Sequence, residues 1–162
     1  MLQLKKQSGS TCLIYSLAMI LDIDPEIIIK EIGTNGEEEW FPGTNTPNRG
    51  INIQELIDVC LRRGYALTPI HFYPANAPQY RADKAKQIYT DEECQERFWN
   101  HLKTHRAIII GTTTKGILHA VAWEYPSIYN PHGWVTITNK HSINDPGINI
   151  IEAWILLRIK SN

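Results

Sequence analysis

The sequence predicts an α+β domain, with helices in the first half and an antiparallel sheet towards the C-terminus. Three observations carry this. Apolar residues recur at helical spacing in the first third, as in "CLIYSLAMIL" and "INIQELIDVC". The last third breaks into short β-branched and aromatic runs divided by turn residues. Strands and helices do not alternate along the chain, which argues against a parallel sheet with crossover helices. At 162 residues the chain is read as one domain, long enough to bury about two thirds of the surface its unfolded form exposes.

The elements follow in order. Ser10 or Thr11 caps a first helix running to about Asp22. Asp24-Pro25 is a cap followed by a first-turn proline, and it opens a second short helix, "EIIIKEI". From Gly33 to Gly50 the composition turns to Gly, Pro, Asn and Thr, a long loop with Glu37, Glu38 and Glu39 beside Trp40-Phe41. Asn52 caps a third helix, Ile53 to Arg63, with Gly64 as its stop. "YALTPIHFY" reads as a strand, and Pro69 confines it to a sheet edge or a bulge. Thr90 and Glu93 form a capping box for a fourth helix, Asp91 to about Lys103. "AIIIGTTT", "ILHAVAWE", "SIYN", "GWVTIT" and "INIIEAWILLRI" are then the strands of a meander, with Lys-Gly, Tyr-Pro, Pro-His-Gly and Asp-Pro-Gly as turns.

Bulk properties narrow the function classes. Sixteen basic and seventeen acidic residues leave a net charge of −1, with no basic stripe to bind nucleic acid or an anionic membrane. No apolar run reaches the length of a membrane span. The Lys5-Lys6 pair before an apolar segment lacks a small-residue cleavage pattern after Leu21, so the segment is read as mature structure. Cys12, Cys60 and Cys94 are odd in number and have no Cys-x-x-Cys spacing, so reduced thiols are expected, with no disulfide framework and no zinc site. A cytoplasmic location fits these thiols. No cofactor or metal is called for, and oligomeric state is not legible.

One constellation carries chemistry. Cys12 stands at the first turn of an apolar helix, five residues after Gln7. His119 lies in a strand with Leu118, Ala120 and Ala122 on one face and Ile117, Val121 and Trp123 on the other. Its small neighbours leave room around the ring. Asn130 follows eleven residues later, after a Tyr-Pro turn, and a hairpin brings the two ends near each other. A free thiol has a pKa of about 8.5, and both a helix N-terminus and an adjacent imidazolium favour the thiolate. His119 then supplies the proton to a leaving group, while a carbonyl on Asn130 fixes the ring tautomer. Gln7 and the Cys12 N–H are the candidate oxyanion donors, and removing one such donor costs about 3 kcal/mol in barrier.

Gln7, then Cys12 opening "CLIYSLAMIL", then "LHAVAW" and "IYNP", resembles the papain-like cysteine peptidases. The nearest branch includes the bacteriocin-leader (double-glycine) peptidase domains of export transporters. The resemblance implies a papain-like fold with helices packed on the sheet. It implies Cys12 as nucleophile, His119 as base and acid, Asn130 as orienting residue and Gln7 as oxyanion donor. It further implies a peptide or protein substrate, cleaved at a peptide or isopeptide bond through an acyl-enzyme. Three departures stand beside it. Leu13 replaces the small glycine usual after the nucleophile, Asn130 stands where that branch has aspartate, and the interval from Gln7 to Cys12 is slightly short.

Other readings stay open. A deamidase, transglutaminase or acyltransferase uses the same Cys-His pair on another acceptor. A catalytically silent binding or inhibitor module keeps the fold without the chemistry. His132 competes with His119 as base, and Asp145 in "NDPG" competes with Asn130 as third member. Cys60 and Cys94 are expected in the core. His101 and His105, spaced i, i+4, are expected on a solvated surface, and the Glu37 to Glu39 run on a solvated loop face or, with Trp40-Phe41, on a lid that selects a basic segment.

Overall fold

A computed structural model describes residues 2–3, 11–38, 50–71, 91–130, 133–139 and 147–159. Among them are four helices, α1 (Cys12–Leu21), α2 (Pro25–Ile32), α3 (Ile53–Arg62) and α4 (Asp91–Thr104). The strands are β1 (Tyr65–His71), β2 (Ala107–Thr113), β3 (Leu118–Glu124), β4 (Ser127–Asn130), β5 (Gly133–Thr136) and β6 (Ile148–Arg158). They form one six-stranded sheet in the order β1-β6-β2-β3-β4-β5, with every pairing antiparallel. The α+β class is therefore the observed one. The meander holds from β2 to β5, but β6 inserts between β1 and β2. An eleven-residue strand whose middle is buried on both faces belongs inside a sheet, and β6 is the longest strand among the described residues.

Local chemistry sets the helix ends. Asn52 accepts from Gln54 N at 3.0 Å while Glu55 reaches back to Asn52 N at 2.8 Å, a closed capping box on α3. Asp24 accepts from Glu26 N at 2.9 Å ahead of Pro25, which needs no N–H partner at that position. The expected cap of α1 is different. Thr11 is its N-cap residue, yet its side chain makes no capping bond, and Ser10 lies outside the described residues, as does Thr90 before α4.

Two cores sandwich the sheet. On one face α1, α2 and α3 bury Ile14, Leu17, Ala18, Ile28, Leu56 and Val59 against Ile108, Ile110, Ala120, Ala122, Tyr129 and Trp154. Ala120 and Ala122 present only methyl groups, which lets α1 lie close over β3. On the other face α4 buries Phe98, Trp99 and Leu102 against Ile109, Val121, Trp123, Ile128 and Ile155. Each fully buried Leu or Ile stabilises the fold by about 1.5–3 kcal/mol relative to exposure. Trp123 is fully buried and donates its indole N–H to the Leu102 carbonyl at 2.7 Å, tying α4 to β3. Among the described residues no helix is long and apolar enough to cross a membrane.

The ends of the sheet are pinned by specific residues. Arg106, just before β2, donates to the Ile20 carbonyl at 3.1 Å and forms an ion pair with Glu124 at 2.7 Å. That clamp fixes the C-terminal end of α1 to the strand end that carries Trp123 and Glu124. Glu31 of α2 is bound by both Arg62 and Arg63 at the end of α3. The Arg63 guanidinium, hydrogen-bonded to it and helped by Arg62, holds the Glu31 carboxyl down at about 2.

Candidate active site

The direction of α1 decides what its first residue meets. Ile20 sits at the Arg106 clamp, beside the Ala107↔Trp123 pair. Eight residues of helix span about 12 Å. From Trp123 back to His119 the strand covers about 13 Å. α1 packs against β3, and the clamp holds its C-terminal end at the Trp123 end of that strand. Cys12 is a free, half-buried thiol, packed against the edge of the α1 core.

His119 and Asn130 come out on one face of adjacent strands. Ala122 pairs with Tyr129 and Glu124 with Ser127, which sets Asn130 one pair further along, opposite Val121. Val121 and His119 share a face, so Asn130 and His119 are diagonal neighbours on that face. Both are half-buried. The same parity separates them from Cys12. Ala120 and Ala122 point to α1, whereas Val121 and Trp123 point to α4, and His119 follows the second set. Leu118, beside His119 at the start of β3, is 63% exposed.

A residue that sequence reasoning passed over makes room there. Gly111 pairs directly with His119. It also marks the point where the β2–β6 register shifts, and a Cβ placed on it would lie 2.4 Å from the Asn149 carbonyl oxygen and 2.6 Å from Ile148 Cγ2. Only glycine fits this bulge. The signal was present in the sequence as a lone Gly inside the run "AIIIGTTT".

The first turn of α1 is suited to an anion. It contains no acidic residue, and Thr11 does not cap its N–H groups. The other thiols differ. Cys60 and Cys94 are buried in the core, and burial pushes the Cys60 thiol up to about 12, with Arg63 pulling weakly the other way. Gln7, His132 and Asp145 lie outside the described residues.

The remaining candidates are accounted for locally. His105 Nδ1 lies 3.0 Å from the His101 carbonyl and 2.8 Å from Thr104 Oγ1, so it closes the end of α4, and both histidines are half-buried instead of fully solvated. Among the described residues no group of three or more His, Cys, Asp or Glu is placed to hold a metal ion. Glu37 accepts from Asn35 Nδ2 at 3.0 Å and Glu38 accepts from Thr34 Oγ1, within the loop's own turn. Glu39, Trp40 and Phe41 lie outside the described residues. Set against family models, curated proteins and solved structures, the chain matches none of them.

Proposed function

We propose that this chain is a thiol hydrolase of papain-like type that cleaves a peptide or isopeptide bond through an acyl-enzyme on Cys12. What supports it most is that the C-terminal end of α1 is held at the Trp123 end of β3, while Cys12 opens α1, His119 stands near the start of β3 and Asn130 ends the neighbouring strand β4. In this reading His119 takes the Cys12 proton and the sulfur adds to the substrate carbonyl. The oxyanion takes the Cys12 N–H, and Gln7 is the second donor. Imidazolium at His119 gives its proton to the leaving amine, Asn130 holds the ring, and water then releases the acid.

The test is the alkylation rate of each cysteine by iodoacetamide between about pH 4 and pH 9, in the native protein and in His119→Ala. Selective labelling of Cys12, faster than in the denatured chain and lost in the variant, is the expected result. Reaction no faster than in the denatured chain overturns the proposal. One observation favours a second reading, a catalytically silent binding module: the strand parity of His119 is that of the α4 face. Under that reading the His119 variant leaves the Cys12 profile unchanged.

A further inference from the structure

The C-terminal end of α4 holds two imidazoles in an arrangement that closing the helix does not use up. His101 and His105 stand at i, i+4, which places both on one side of the helix end. Their ring centres are 6.2 Å apart, and both residues are half-buried. Lys103, two residues from His101, projects from the opposite side of the helix and leans over the Trp99 ring at 5.9 Å.

The bonds that close the helix also select a tautomer. His105 Nδ1 lies 3.0 Å from the His101 carbonyl oxygen, which can only accept. Thr104 Oγ1 donates to that carbonyl at 3.2 Å, which leaves the hydroxyl oxygen as an acceptor for the same Nδ1 at 2.8 Å. In the neutral ring the hydrogen therefore sits on Nδ1 and the lone pair on Nε2. An Nδ1–H held by a backbone carbonyl is the form that metal-ligating histidines take, because it sets ring orientation and ligand basicity in advance. The pair also lies at the negative end of the helix dipole, where an added cation is favoured.

We infer that His105 Nε2 and the His101 ring together bind a divalent transition-metal ion of the zinc, nickel and copper class, with water in the remaining positions. Imidazole nitrogen selects these ions over magnesium and calcium, which prefer oxygen. With a metal–nitrogen distance of about 2.1 Å the ion stands roughly 3.2 Å from each ring centre, so a right-angled or tetrahedral site needs centres about 4.5–5.3 Å apart. The pair therefore closes by about 1–2 Å on binding. His105 is fixed by its two bonds, so His101 makes this movement by rotating its side chain. Arg97 stands one turn before His101 and repels the added charge, which favours a reversible site over a permanent one. The inference is independent of the chemistry assigned to Cys12.

Nickel(II) is the probe, titrated into the whole chain and followed by NMR of the histidine rings. The ion-free spectrum is expected to show the His105 hydrogen on Nδ1. Nickel should broaden the His101 and His105 rings together, ahead of the chain's other histidines, and magnesium(II) should broaden neither. His101→Ala keeps the backbone carbonyl that holds His105, so the helix end is preserved, and the variant should weaken nickel at least about tenfold. Four results overturn the inference: a His105 hydrogen on Nε2, broadening of only one ring of the pair, broadening that favours another histidine, and undiminished nickel affinity in His101→Ala.

Discussion

Replacing Gly111 by alanine tests whether the β-bulge beside His119 is a steric necessity. The added Cβ would lie 2.4 Å from the Asn149 carbonyl oxygen, 2.6 Å from Ile148 Cγ2 and 2.9 Å from the Asn149 carbonyl carbon. Ordinary van der Waals contact begins near 3.4 Å, so backbone of β6 has to retreat by about 1 Å. Overpacking of this kind costs about 1–3 kcal/mol. Stretching one or two ladder hydrogen bonds adds about 1 kcal/mol each. A total near 2–5 kcal/mol is a large share of a domain's roughly 5–15 kcal/mol stability. For a chain of this length it lowers Tm by roughly 5–15 °C. Guanidinium unfolding followed by far-UV circular dichroism measures it, with Gly64→Ala as control. Gly64 has φ +75° and nothing within 4 Å of a built Cβ, so its variant loses only about 1 kcal/mol through backbone strain. If Gly111→Ala is no more destabilising than Gly64→Ala, the close approach of β6 does not constrain the bulge and the reasoning fails.

Three further expectations follow from particular contacts. Glu31 titrates at about 2 in the fold against 4.5 ordinarily, so its pairing with Arg63 and Arg62 stabilises above pH 4.5 and is lost as pH falls towards 2. After screening at this exposed site the loss is about 1 kcal/mol, and Glu31→Gln should remove that part of the acid limb of a stability titration. Cys60 is the opposite case: its thiol is raised from 9.0 to about 12, so stability is complete below pH 9 and falls above it, and the chain should yield Cys60 to alkylation only on unfolding. Trp123→Phe leaves the buried Leu102 carbonyl without its donor, and a loss of about 1–3 kcal/mol in urea unfolding is expected, with α4 amides exchanging faster than those of α1.

Local signals were the legible ones. Asn52 with Glu55, Asp24-Pro25 and the β-branched runs each dictate the conformation of their own few residues, and the elements lie where those residues place them. Pro69 even announced an edge strand, because a missing N–H is a local fact with a global consequence. What escaped was long-range. The insertion of β6 between β1 and β2 depends on which apolar faces meet, and so does the assignment of α4 to the face away from α1. The candidate site divides the same way. Cys12 at a helix start and His119 in a strand could be read directly, and so could their order. The face on which His119 emerges was implicit in its alternation with Val121 and Trp123, but its meaning required knowing that α1 covers the other side.

The position of β6 also bears on how the chain is made. Vectorial synthesis delivers β1 long before its partner β6, because Tyr65–His71 pairs with Glu152–Arg158 and, among the described residues, with no earlier strand. β2 likewise keeps one side open until the same residues emerge. A nascent chain stopped short of Ile148 therefore displays two unsatisfied strand edges and lacks the Ile148, Ile150, Ala153 and Ile155 side chains of the α4 core. Holdases on the ribosome bind such edges, and the bulge at Gly111 beside His119 forms only once β6 has emerged.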